Sequence, residues 1–265
     1  MLITYVAMRR QGIALSSLPH EVEAHHDGCL KGRTVVLIGG GSGIGLRVAH
    51  QAAAAGARVV LGGRTPVRLA AAAEQVGHSA TWRSVDVTDN SSLAAFFAEL
   101  DRVDHLFTSA ASYQVGPMLE LSDEAAASPF TSKFWGQYHV VRYAAPKLTA
   151  DGSVVLMSGA AGARPPAPAP AYAACNAAIE GLGRGLALEL APVRVNVVSP
   201  GTIDGNLWAQ RPAVDREGAF AQYRRDTVLH RLGTEDDIAH AVMFLFTNGF
   251  TTGSTLYPDG GYTLR

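Results

Sequence analysis

The chain has 265 residues, 48% of them hydrophobic and 17% charged, which is enough for a sizeable core and argues against disorder. A formal net charge of −1 gives no broad electrostatic reason to expect a nucleic acid or an anionic membrane as partner. Cys29 and Cys175 form no CxxC or Cys/His ligand spacing, so no disulfide framework or metal site is expected, and no apolar run approaches the ~18 residues of a membrane span.

Taken in order, the chain begins with an apolar stretch at 2–8 followed by Arg9 and Arg10, the reverse of a secretory signal. Residues 1–30 therefore read as an extension on a cytoplasmic protein, with His20, His25 and His26 in a solvated tail. From Arg33 onward, strands and helices alternate. Residues 34–38 form a short β-branched run that leads into a glycine cluster and an alanine-rich helix ending near Ala55. A second strand is expected at 57–61, then a helix whose start is marked by Thr65-Pro66. Further strands are expected at 80–85, 103–108, 153–157, 193–198 and 254–257, with helices at 91–100, 122–148, 171–190 and 235–246. Strands apolar on both faces, separated by helices, predict one doubly wound parallel α/β sheet of the Rossmann type. The domain is expected to run from 31 to 265, since no linker or repeat interrupts it.

The run Gly39-Gly40-Gly41-Ser42-Gly43-Ile44-Gly45 lies between the first strand and its helix. Glycines there let backbone N–H groups approach phosphate oxygens, and the helix N-terminus contributes its positive dipole end. The second strand leads into Gly63-Arg64 where an NAD site usually carries an acid. Arg64 suits a 2′-phosphate through paired contacts, so NADP(H) is favoured over NAD(H).

Together with Asp86-Val87, Tyr172, Asn196, Ser199-Pro200-Gly201 and Asp259-Gly260-Gly261, these residues resemble the short-chain dehydrogenase/reductase family from about Lys31 to the C-terminus. The resemblance implies a seven-stranded parallel sheet and assembly as a homotetramer through two long helices. It also implies that Asp86, Val87 and Ala110 line the adenine side and the turn after the fourth strand. Pro200, Gly201 and Ile203 would then border the nicotinamide.

The catalytic positions depart from that family's pattern of serine, tyrosine, a lysine four residues later, and an asparagine on the preceding helix. Here the segment after Tyr172 reads Ala173-Ala174-Cys175-Asn176, and the preceding helix carries Lys133-Phe134-Trp135-Gly136. The lysine and asparagine have traded places. A phenol ionises near pH ~10, so a cation is needed to bring it toward working pH. A unit charge about 4 Å away at an effective dielectric of about 20 is worth about 4 kcal/mol, so Lys133 is adequate if it reaches Tyr172. Gly159 falls where the serine belongs, and Ser158 could serve only if the following loop carries an insertion. Ser109-Ala110-Ala111 replaces the family's Asn-Ala-Gly, Ile38 a threonine, and Gly205 a threonine that contacts the carboxamide.

Two functions follow. One is an NADP(H)-dependent oxidoreductase for an alcohol/carbonyl pair, with Tyr172 as acid/base, Lys133 as charge, Asn176 as relay and Ser158 as the remaining candidate. The other is a dinucleotide-binding sensor that has lost turnover. Trp208, Phe220 and Tyr223, in the expected substrate-facing segment 206–229, hint at a small apolar or aromatic substrate.

Overall fold

A computed structural model describes residues 28–165, 168–209 and 212–265; most of the expected N-terminal extension, with its three histidines, lies outside the described residues. Seven strands form a parallel sheet: β1 (Thr34–Ile38), β2 (Arg58–Gly63), β3 (Ala80–Ser84), β4 (Val103–Thr108), β5 (Leu148–Met157), β6 (Arg194–Val198) and, after two short strands described below, β9 (Thr255–Leu256). Their spatial order is β3-β2-β1-β4-β5-β6-β9. The Rossmann-type reading is therefore correct. β1 and β4 are buried along their whole length, as strands covered on both faces must be.

The period-2 alternation of β1 feeds two cores. Val35 and Leu37 pack with α1 (Gly43–Ala54), α2 (Pro66–Val76) and α9 (Glu235–Thr247) on one face. Val36 and Ile38 pack on the other with α3 (Asn90–Ala98), α5 (Trp135–Ala144) and α6 (Pro170–Glu189). Leu30, assigned by the sequence to the extension, is buried in the first of these cores, so the ordered body starts slightly before residue 31.

The structure corrects the long helix expected at 122–148. Ser122 caps α4 (Asp123–Pro129), accepting from Ala125 N–H at 3.2 Å, and Pro129 then ends the regular hydrogen bonding. A π-helical turn, Phe130–Phe134, follows before α5 begins, and residues 148–152 belong to β5. Two short pairing strands, β7 (Ile203–Asp204) and β8 (Gly233–Thr234), were not expected. They bracket α7 (Asn206–Ala209) and α8 (Ala213–Asp226), which form the segment over the carboxyl end of the sheet. Among the described residues no helix is long and apolar enough to cross a membrane.

Candidate active site

The chain reverses direction across the sheet between β1 and β4, and a doubly wound sheet binds its ligand outside the strand ends at that point. A cleft of about 1090 Å³ opens there. Its floor is the turn from β1 into α1. Gly39 has φ 96°, and a Cβ on it would lie 2.8 Å from Ala110 N; a Cβ on Gly45 would lie 2.2 Å from Gly39 O. These positions admit only glycine, because the turn must fold back tightly under α1. Gly41, Ser42, Gly43 and Ile44 line the cleft with them. Ser42 makes no side-chain cap to α1 and no acid sits in that helix's own first turn, while the Glu235 carboxylate lies beside its start, Oε1 being 3.3 Å from where a Gly43 Cβ would be. The donors, the dipole and the close backbone approach fit a dinucleotide pyrophosphate.

Arg64 is exposed at the end of β2 and lines the same cleft. Arg68, which the sequence reading missed, lies one turn further along α2, its Cγ 3.6 Å from where a Gly41 Cβ would be. Neither guanidinium has an ion-pair partner among the described residues. Asp86, Val87 and Ala110 line the cleft between β3 and β4. One Asp86 oxygen accepts from Thr88 N–H at 2.9 Å and Thr88 Oγ1 at 2.8 Å, which sets the carboxylate's orientation. Pro200, Gly201 and Ile203 border the opposite end. Gly205 stands where the family carries a threonine, and a Cβ there would lie 2.5 Å from Glu235 Oε1, so that carboxylate would have to move to admit one.

The exchanged residues meet. Lys133 is 5% exposed, and its Nζ donates to Asn176 Oδ1 at 2.5 Å and to Ser158 O at 2.8 Å. The same Nζ stands 5.3 Å from the Tyr172 ring centre and 5.8 Å from that of Tyr113. Asn176, fully buried, donates from Nδ2 to the Tyr172 carbonyl at 2.8 Å. Burial pushes the Tyr172 phenol up, but the Lys133 charge, Tyr113 and Asn176 outweigh it and bring its pKa below the ordinary value. A phenol so placed can exchange a proton with a ligand oxygen.

The π turn is what aims Lys133. Trp135 N–H reaches back five residues to Phe130 O, and the wider turn carries Lys133 inward. Gln137, one turn later and 1% exposed, clamps the helix to the end of β5. It donates to Met157 O at 2.9 Å and accepts from Met157 N–H at 2.8 Å. Sequence reasoning missed Gln137; a lone glutamine on an apolar helix face carried the only signal.

Ser158 is brought to the cluster but not into a catalytic pose, since its buried Oγ donates to the Asn176 carbonyl at 2.8 Å. Gly159 instead occupies the place facing Tyr172: a Cβ on it would lie 3.5 Å from the Tyr172 hydroxyl and 3.1 Å from Asn176 Oδ1. In the covering segment, Trp208 and Tyr223 line the cleft, while Phe220 is buried behind them with its ring centre 5.3 Å from Trp208.

A family model described as enoyl-(acyl carrier protein) reductase matches residues 39–263. The chain belongs to the short-chain dehydrogenase/reductase family. This short-chain dehydrogenase/reductase is 33% identical over 244 residues to cis-4-hydroxycyclohexanecarboxylate dehydrogenase of Sinomonas cyclohexanicum, covering 87% of this chain and 96% of that one. It is also similar to a solved short-chain type dehydrogenase/reductase of Mycobacterium ulcerans, with TM-score 0.82, 30% identity, and 89% and 91% of the two chains covered. A third likeness is to an NADPH-bound short-chain oxidoreductase of Pseudomonas aeruginosa PAO1 that contains an atypical catalytic center. There the TM-score is 0.80, the identity 31%, and the coverage 86% and 96%. The family is one of oxidoreductases that hold a nicotinamide dinucleotide.

Proposed function

We propose that this protein is an NADP(H)-dependent oxidoreductase acting on the alcohol/carbonyl pair of a small, apolar or aromatic substrate. The observation that carries the reading is the buried Lys133 ammonium beside Tyr172, supplied from the neighbouring helix to the site that the family's usual lysine would serve. A lapsed site has no reason to keep a buried charge, whose desolvation is costly unless it is used or fully paired.

NADP(H) bound in the cleft would supply or accept a hydride at the substrate carbon. The chain's own part is proton transfer and positioning. Tyr172 gives its hydroxyl proton to the carbonyl oxygen in reduction and takes it back in oxidation. Lys133 holds the phenolate form within reach of working pH, and Asn176 fixes the ammonium. Gln137 and the π turn hold Lys133 in place. Preference for the 2′-phosphorylated cofactor rests on Arg64 and Arg68, with no acid at Gly63, and agrees with NADPH in the Pseudomonas aeruginosa relative. Trp208 and Tyr223 favour an apolar or aromatic substrate at the cleft mouth.

The protein is further proposed to be a homotetramer assembled through α5 and α6. Trp135 on α5 is 48% exposed and Leu188 on α6 is 86% exposed, apolar surface of the kind that packs against a symmetry mate. The enzyme reading is tested by following NADPH oxidation with a panel of alicyclic and aromatic ketones, and NADP⁺ reduction with the matching alcohols. Tight NADPH binding without turnover on any of them would establish the sensor alternative instead.

A further inference from the structure

Gly159 leaves the site without the second hydroxyl that ordinarily accompanies the tyrosine, and the reason is local. Its φ of −178° is extended backbone open to any residue, so conformation does not require glycine. Crowding does. Lys133 draws the Asn176 amide oxygen to 3.1 Å from where a Cβ at 159 would be, tighter than ordinary van der Waals contact. The lysine–asparagine exchange therefore discourages a serine beside it.

A different hydroxyl lies beside Tyr172. Tyr113, in the loop after β4, stacks on Tyr172 with ring centres 5.1 Å apart and planes inclined by 28°. Its hydroxyl donates to the Tyr172 hydroxyl at 3.4 Å, both lying in the cleft. The loop is held on either side of Tyr113: Ser132 Oγ donates to Ser112 O at 2.6 Å and accepts from Ser112 N–H at 3.2 Å, and Ser128 Oγ accepts from Gln114 N–H at 2.9 Å. Ser132 adjoins Lys133 in the π turn, so one short segment places both the cation and the second phenol.

We propose that Tyr113 is a catalytic residue of this site, its hydroxyl replacing the missing serine as second hydrogen-bond donor to the substrate oxygen. This rests on the oxidoreductase reading above. The 3.4 Å separation is long for an O–H···O bond, and an acceptor oxygen set about 2 Å to the cleft side of the line joining the two hydroxyls would lie about 2.7 Å from each. In carbonyl reduction the hydride brings its electron pair from NADPH to the carbonyl carbon, and the nicotinamide is oxidised. Tyr172 transfers its proton to the oxygen, while Tyr113 keeps its own proton and stabilises the negative charge building there. Tyr113 also donates to Tyr172 itself and, with Lys133, helps the phenol ionise; Cys175, from the same helix as Tyr172, acts weakly against them.

Tyr113→Phe tests this while keeping the stacked ring. The ionisation midpoint of Tyr172 is read from tyrosinate absorbance in the full-length protein, as the difference between proteins with and without Tyr172→Phe. Removing the Tyr113 hydroxyl is expected to move that midpoint upward. In steady-state assays with the ketone panel, kcat is expected to fall about 100-fold, as for loss of an oxyanion donor, with NADPH affinity changed less than twofold. An unmoved midpoint overturns the proposal, and so does wild-type kcat in Tyr113→Phe, since a ring that only packs would be served equally by phenylalanine. If the unsubstituted protein turns over none of the probes, the oxidoreductase reading fails, and the titration still decides whether Tyr113 acts on Tyr172.

Discussion

Replacing Lys133 by methionine removes the charge and keeps most of the side-chain volume. The Nζ stands 5.3 Å from the Tyr172 ring centre, where a unit charge at an effective dielectric of about 20 stabilises a phenolate by about 3 kcal/mol. That is less than the value for a 4 Å contact, because the ammonium is anchored on Asn176 and Ser158 and reaches the ring from beside it. If oxidation of an alcohol needs the phenolate, Lys133→Met should lower turnover at neutral pH by about 100-fold, since each 1.36 kcal/mol is tenfold. With the cation gone, burial is opposed only by Tyr113 and Asn176 and the Tyr172 pKa rises, so the limb along which oxidation rate rises with pH should move upward. The substitution also strips a donor from two buried acceptors, Asn176 Oδ1 and Ser158 O, at a stability cost of about 1–3 kcal/mol for each. Thermal melting must accompany the kinetics to separate the two effects. Lys133→Asn combined with Asn176→Lys should retain more activity than Lys133→Asn alone, because the charge returns from α6. Lys133→Met with wild-type turnover and an unshifted pH profile would refute the reasoning.

Arg64→Ala and Arg68→Ala should each weaken NADPH binding about 10-fold or more and leave NADH nearly unaffected, as measured by cofactor fluorescence titration; equal losses for both cofactors would remove these residues from the 2′-phosphate. His105, buried at 4% exposure with a ring nitrogen 2.8 Å from Ser153 Oγ, is pushed down to about 4 mainly by that burial. The native state thus refuses a proton that the unfolded chain accepts below about pH 6.5, so stability should fall as pH drops from 6.5 toward 4, by up to about 3 kcal/mol. Denaturant unfolding of His105→Asn should lose this part of the acid sensitivity; an unchanged slope would exclude His105 as its source. Light scattering at micromolar concentration should give four times the monomer mass, and Leu188→Arg on α6 should dissociate the assembly; a stable wild-type monomer would exclude it.

Strand period, glycine spacing and the proline-marked helix start are local properties, and they were enough to read the parallel sheet and its glycine turn, while the cleft-lining residues from Asp86 to Ile203 came from the family resemblance. The same linear information exposed the trade between Lys133 and Asn176, since it needs only a comparison of residue types at spaced positions. It could not say whether the two meet. That depended on a π turn forced in after Pro129 and on Gln137 seizing Met157, contacts between residues 20 positions apart in sequence. The segment 122–148 reads as one helix because a π turn inserts a single residue, a phase shift that a short apolar pattern does not distinguish from ordinary irregularity. Arg68 and Tyr113 were invisible for a similar reason. An arginine on an exposed helix and a tyrosine in a loop carry no periodic signal, and only the folding of α2 over Gly41 and of the 109–116 loop over Tyr172 turns them toward the cleft.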